Sequence, residues 1–252
     1  MSGSDRRRIG PGKRIVVLGA TSTIARAIAT RLAAQGASVI LAGRDLGEIN
    51  LNARDLRVRF GVNAESIAFE ATDFVSHAKF AMALDEGDGI DGAIVAYGTM
   101  PPLGADFAAA REAIDVNYAS VVSLFEELAL RFEARRRGFL CAIGSVAGDR
   151  GRERNYLYGS TKAALATYLD GLRVRTAKSG VSVIGVKPGF VDTSLTWGLP
   201  GVRGAASPDH VARDIVRGIE RNQRVVYTPS LWRWIMLGVR AVPDPLFRRM
   251  SF

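Results

Sequence analysis

From Lys13 onward, short runs of consecutive apolar residues alternate with longer stretches in which apolar positions recur every three to four residues. Continuous runs rich in valine and isoleucine suit strands covered on both faces, whereas the longer period marks amphipathic helices. The pattern predicts seven strands, over 14–18, 38–42, 66–70, 92–96, 139–143, 181–187 and 224–227. Helices are predicted between and after them, over 23–35, 46–60, 77–84, 111–136, 157–179 and 208–220. The last is opened by Ser207 as N-cap and Pro208 in the first turn. Strict alternation of the two element types implies repeated βαβ units, hence an α/β fold of Rossmann type: a doubly wound, seven-stranded parallel sheet with helices on both faces.

No Gly/Ser-rich linker interrupts residues 13–229, which are expected to form one domain. Residues 1–12 mix serine, glycine and arginine without periodicity and read as a flexible basic tail. Residues 230–252 read as an apolar, basic-edged helical appendage: Trp232, Trp234, Ile235, Met236, Leu237 and Val239 stand between Arg233 and Arg240, and Arg248 and Arg249 follow.

Composition narrows the class. Of 252 residues, 48% are hydrophobic and 23% charged, the balance of a folded globular chain rather than a disordered one. Cys141 is the single cysteine, so no intrachain disulfide forms, and with only His77 and His210 as imidazoles no metal site is expected. Cys141 itself lies inside a strand and reads as a buried small hydrophobe; the histidines read as surface or capping residues. A secretory leader and an apolar run of about 20 residues are both missing from the sequence, so a cytoplasmic chain that crosses no membrane is expected.

The net charge of +9 sits at the ends, +4 within residues 1–14 and +5 within 203–252, with near balance between. A nucleic-acid-binding domain puts its excess on a folded face, so no nucleic-acid partner is expected. Charged ends are either simply solvated or attracted to an acidic membrane. The 230–252 appendage suits either a subunit interface, in a homodimer or homotetramer, or a helix lying at the headgroup boundary as a peripheral membrane contact.

Candidate chemistry begins where the first strand runs into Gly19-Ala20-Thr21-Ser22-Thr23-Ile24-Ala25 and a helix starts. Main-chain N–H groups at a helix N-terminus, with the helix dipole behind them, receive a dinucleotide's pyrophosphate, and small residues let it approach. The second strand ends Leu41-Ala42-Gly43-Arg44, with no carboxylate to accept from an adenosine ribose 2′-hydroxyl. Arg44 suits a 2′-phosphate instead, which favours NADP(H) over NAD(H). Asp73 either meets the adenine edge or caps the next turn.

The helix at 157–179 opens Tyr158-Gly159-Ser160-Thr161-Lys162, setting a phenol and an ammonium four residues apart on one face. Reduction of a carbonyl needs a proton donor for the developing alkoxide, and a positive neighbour is expected to pull the phenol below its ordinary value near 10. Ser145 follows the fifth strand at the carboxyl edge of the sheet and can hold a substrate carbonyl. Asn117, inside the predicted 111–136 helix, either carries a water linking Lys162 to solvent or is a satisfied core amide. After the sixth strand, Lys187-Pro188-Gly189-Phe190-Val191-Asp192-Thr193 can offer its backbone and Thr193 to a nicotinamide carboxamide. Side chains of the 190–206 loop, Trp197 and Leu199 among them, are expected to shape the substrate pocket.

The glycine turn, Asn117, Ser145, Tyr158, Lys162 and Pro188-Gly189, in that order, make residues 13–229 resemble the short-chain dehydrogenase/reductase family. The resemblance implies that Tyr158 is the acid/base, that Lys162 tunes it and holds the nicotinamide ribose, that Ser145 orients substrate and that Asn117 supports a proton relay. Gly19, Thr21, Ser22, Thr23, Ile24, Arg44, Asp73, Ala96, Gly98, Tyr158, Lys162, Pro188, Gly189, Val191 and Thr193 are then the cofactor-contacting candidates. Two departures stand out: Thr23 and Ala25 replace the family's second and third glycines, and Val95-Ala96-Tyr97-Gly98 replaces its usual Asn-Asn-Ala-Gly. The latter run, Asn155 to Lys162 and the Trp/Arg-rich C-terminus look most like family members that reduce a polyprenyl-phosphate-linked keto-sugar. A lipid-linked carbonyl substrate is therefore expected, with a small soluble ketone, acyl thioester or free sugar as the alternative and a non-catalytic NADP(H)-binding protein as a third reading.

Overall fold

The computed structural model describes residues 8–193, 196 and 204–249. Seven strands form one sheet: β1 (Arg14–Leu18), β2 (Ser38–Gly43), β3 (Ala64–Ala68), β4 (Gly92–Val95), β5 (Phe139–Ile143), β6 (Ser182–Pro188) and β7 (Val225–Thr228). All neighbours are parallel, in the order β3-β2-β1-β4-β5-β6-β7. The order reverses between β1 and β4, which opens a crevice at the carboxyl ends of those two strands.

Strict alternation divides β1 between two cores. Ile15 and Val17 join the face covered by α1 (Thr23–Ala34), α2 (Leu46–Phe60) and α7 (Pro208–Glu220), while Val16 and Leu18 join the face under α3 (His77–Leu84), α5 (Ser120–Arg135) and α6 (Tyr156–Thr176). These four side chains are fully buried, which is why β1 carries no polar residue after Arg14. Helix starts follow side-chain caps: Ser22 accepts from Ala25 N, Asp45 from Glu48 N and Ser207 from His210 N, with Pro208 in the first turn of α7.

Three departures from the pattern have physical causes. The edge strand β3 lies two residues earlier than 66–70, because the ladder with β2 starts at Val39, which pairs with Ala64 and donates to Asn63 O. Phe69 is buried just beyond the strand's end, so its apolarity marks a core contact rather than strand pairing. The helix predicted over 111–136 starts earlier, as α4 (Phe107–Ile114) capped by Asp106, and is broken by a π-turn at Asp115–Ala119 before α5. His77, read as a surface or capping residue, is instead 1% exposed, stacked on Phe69, with Nδ1 2.9 Å from Ser123 Oγ.

Beyond β7 the chain forms α8 (Leu231–Ala241) and the four-residue turn α9 (Asp244–Phe247). Arg150, from the β5–α6 connection, fastens this segment. Its guanidinium donates to Val239 O and Val242 O, each at 2.6 Å, meets Asp244 Oδ1 at 2.8 Å and lies 3.7 Å over the Phe247 ring. The basic tail's residues 1–7 lie outside the described residues.

Candidate active site

At the crevice, β1 turns through Gly19 with φ +78°, a conformation that costs any residue with a Cβ. A Cβ there would also stand 2.8 Å from Tyr97 of the opposite wall. Ser22 Oγ, besides capping α1, donates to Ala96 O at 3.1 Å and so ties the helix start to the end of β4. The first-turn N–H groups of Thr23 and Ile24 have no intrahelical partner and face the cleft with Thr21. Ala25 is fully buried against the sheet, so the methyl is accommodated where the family resemblance expected a glycine.

The cleft has a volume of about 1110 Å³, at the upper end for ligand sites and large enough for a dinucleotide together with a second molecule. Gly19, Thr21 to Ile24, Arg44, Ala96 and Gly98 line one half; Ser145, Tyr158, Lys162, Pro188, Gly189, Val191 and Thr193 line the other. The Arg44 side chain is 81% exposed, with only a long 3.9 Å approach to Glu70. The residues present therefore fit a dinucleotide: a glycine cradle, a free helix N-terminus and an uncommitted guanidinium. Asp73 is not among the lining residues. It precedes a short 3-10 turn, Phe74–Ser76, and its carbonyl accepts from Ser76, while Glu70 and Ala71 face the cleft. Trp197 and Leu199 lie outside the described residues.

The reactive candidates converge. Tyr158 hydrogen-bonds Ser145, whose Oγ also accepts from Ala147 N at 3.1 Å. Lys162 Nζ is 5.6 Å from the Tyr158 ring centre and donates to Ile143 O at 3.1 Å. Asn117 sits on the π-turn, 1% exposed, and clamps the irregular segment that follows β4: Oδ1 accepts from Thr99 N at 2.8 Å and Nδ2 donates to Thr99 O at 2.7 Å and to Thr161 Oγ1 at 3.2 Å. Both amide hydrogens are thus used within the protein, leaving an Oδ1 lone pair as the side chain's remaining hydrogen-bonding capacity. A Cβ at Gly98 would come 2.9 Å from Asn117 Oδ1 and 3.3 Å from Lys162 Nζ, so this amide and the ammonium share one corner of the cleft.

The electrostatics run opposite to the expected lowering of the phenol. Burial pushes Tyr158 up to about 12, with the Ser145 hydrogen bond working against it. Burial likewise pulls Lys162 down to about 8. A poorly solvated corner penalises phenolate and ammonium alike, and desolvation outweighs their mutual help. The phenol is therefore a protonated donor at neutral pH.

Residue order put Trp232 in the C-terminal appendage and Asn155 in the run leading to Lys162, but assigned neither of them, nor Arg152 and Arg154, to the cleft that all four line. Trp232, the second residue of α8, packs on Gly189 so closely that a Cβ there would overlap its indole Nε1, and it meets Phe190 edge-on at 5.5 Å. The position of Arg152 and Arg154 between Ser145 and Tyr158 was the available signal for the other three.

A family model described as short chain dehydrogenase matches residues 13–200. An uncharacterized oxidoreductase of Mycobacterium tuberculosis is 32% identical over 240 residues, covering 94% of this chain and 96% of the relative. An uncharacterized oxidoreductase encoded in the mprA 5′ region of Streptomyces coelicolor is 33% identical over 248 residues, covering 96% and 97%. Among solved structures, a short-chain dehydrogenase from Sphingobium yanoikuyae in complex with NADPH superposes with a TM-score of 0.80 at 25% identity, covering 95% of this chain and 96% of that one.

The lysine's position makes a prediction about stability. With a folded pKa of about 8 against an ordinary 10.5, the unfolded chain holds a proton between those values that the folded chain has released. Raising pH through that window then favours folding. Denaturant titrations should show wild type gaining stability over Lys162→Met as pH rises from about 8 towards 10.5; a flat difference would place the amine in contact with water.

Proposed function

The chain belongs to the short-chain dehydrogenase family, and from that premise we propose that it is an NADP(H)-dependent reductase that converts a keto group to an alcohol. The observation that carries this reading is the protonated, partly buried Tyr158 held by Ser145 beside Lys162 at the mouth of a dinucleotide-sized cleft. Bound NADPH supplies the hydride. Ser145 holds the carbonyl oxygen against the phenol; as the carbon receives the hydride, Tyr158 gives its proton to that oxygen. The phenolate left behind lies beside Lys162, whose pKa near 8 lets it carry a proton at neutral pH and stabilise the anion. Lys162 also suits the nicotinamide ribose, and Asn117 fixes the Thr99 backbone beside it. Pro188, Gly189, Val191 and Thr193 suit the carboxamide, and Thr21 to Ile24 the pyrophosphate.

The NADP(H) preference rests on Arg44, which is exposed at the end of β2 with no carboxylate in its place. The substrate reading that the surface of α8 favours is a polyprenyl-phosphate-linked keto-sugar, such as that of the decaprenylphosphoryl-2-keto-erythro-pentose reductase that the sequence resembles. On this one helix Trp232 faces the cleft while Leu231, Trp234 and Leu237 are more than half exposed, with Arg233 and Arg240 among them. A head group in the cleft and a lipid along the outer face would both meet α8, at the cytoplasmic face of a membrane. Among the described residues, no helix is long and apolar enough to cross a membrane. The alternative occupant of that face is a second subunit, in a homodimer or homotetramer.

Tyr158→Phe should keep NADPH affinity, measured by fluorescence titration, and lose about 10²- to 10⁴-fold in single-turnover ketone reduction. Retained turnover would remove the phenol from the mechanism. Arg44→Met should weaken NADPH by about tenfold and leave NADH unchanged, as charge-assisted hydrogen bonds to the 2′-phosphate are lost. Flotation with vesicles containing an anionic phospholipid should carry the full chain upward at low salt but not a Trp234→Glu variant; a chain that ignores the vesicles and assembles through α8 favours the subunit interface.

A further inference from the structure

The connection from Ser145 to Tyr158 commits its charges unevenly. The Asp149 side chain is 2% exposed and accepts from Lys187 Nζ and, at 2.9 Å, from Tyr227 OH. Arg150 is taken by the C-terminal segment, as described above. Arg152 and Arg154 remain. Both line the cleft, and neither forms an ion pair or a side-chain hydrogen bond with a described residue. Arg152 is half-buried, and its Nε is shut off from solvent without an acceptor. Asn155 lines the same wall of the cleft.

A guanidinium N–H buried without an acceptor is costly, and an anion in the cleft would complete it. Burial also draws the Arg152 guanidinium below its ordinary range, with the charge of Asp149 working against it. The acids of the cleft do not satisfy these cations: Asp45 caps α2, Glu48 in its first turn pairs with Arg26, Glu70 beyond β3 approaches Arg44, and Glu112 of α4 forms no ion pair with either arginine. The guanidinium fork fits the paired oxygens of a phosphate or carboxylate.

Resting on the assignment of this cleft as the reductase site, we propose that Arg152 and Arg154, beside the Asn155 side chain, form an oxyanion subsite. The carbonyl substrate therefore carries a phosphate or a carboxylate at a distance from the reacting carbon. This subsite is separate from the one that Arg44 offers the cofactor, so the cleft holds two anions at opposite ends. The Asn155 amide can add its Nδ2 hydrogens as neutral donors.

Calorimetric titration of the full chain saturated with NADP⁺, which occupies the Arg44 end, tests this with inorganic phosphate and, separately, with malonate. At least one anion should bind saturably to wild type and about tenfold more weakly to Arg152→Met and to Arg154→Met, each of which keeps the apolar stem. The tighter anion identifies the group. Failure of both anions to bind wild type, or binding undiminished in both variants, overturns the proposal. Because Arg154 is exposed, its substitution reads the charge even if Arg152→Met perturbs the loop. A matched pair of ketones, one ending in phosphate and the other in hydroxyl, gives the second readout. The kcat/KM preference for the charged ketone should fall about tenfold in Arg152→Met, and equal kcat/KM for the two on wild type counts against the subsite. Absence of NADP⁺ binding or of any ketone reduction would instead remove the reductase reading, and phosphate titration of the nucleotide-free chain still reports on the arginines.

Discussion

A nearly buried ammonium held against one main-chain carbonyl is the constraint on which the cleft depends. Lys162 has 4% exposure and donates to Ile143 O, the last residue of β5, so one hydrogen bond fixes the start of α6 to the centre of the sheet. The charge is costly there, and its pKa falls accordingly. What the cost secures is placement: Tyr158 lies one turn earlier on the same helix, and the distance from phenol to sheet edge is set by the lysine's tether. Ser145, two residues beyond Ile143, then meets the phenol without any further adjustment of the backbone.

The same logic explains the other wall. Gly19 is forced by Tyr97, and Tyr97 is fixed because its hydroxyl lies 3.0 Å from Ser120 Oγ in the core face of α5. Tyr97 thus works as a strut in the cleft wall, its ring turned against Phe69. Asn117 completes the wall by holding Thr99 through both its backbone groups, and the π-turn carries the amide that faces that segment. Extra-residue turns of this kind recur where a helix must aim a side chain that its regular period would misdirect.

Much of this was legible in residue order. Continuous apolar runs gave the strands because both sheet faces are covered, and caps such as Ser22, Asp45 and Ser207 marked helix starts through chemistry local to a few residues. The candidate residues fell on the carboxyl edge of the sheet because strand ends are set by the same runs. What order did not reveal depends on neighbours distant in sequence. The start of β3 is set by Val39, the π-turn by Thr99, and the burial of His77 by Phe69. The rise in the Tyr158 pKa belongs to the same class: charge spacing along a helix was visible, but the loss of water around it was not. That Arg152 and Arg154 form no ion pair among the described residues could be recognised only once Asp149 and Arg150 had been seen to be spoken for.

Arg150 gives the C-terminal helix a grip on the reaction centre. One guanidinium, five residues from Ser145, holds the carbonyls at the end of α8, so the helix is hydrogen-bonded to the loop between Ser145 and Tyr158. Trp232 touches Gly189 from the other side. Whatever settles on the outer face of α8 therefore rests on a helix anchored at both walls of the cleft.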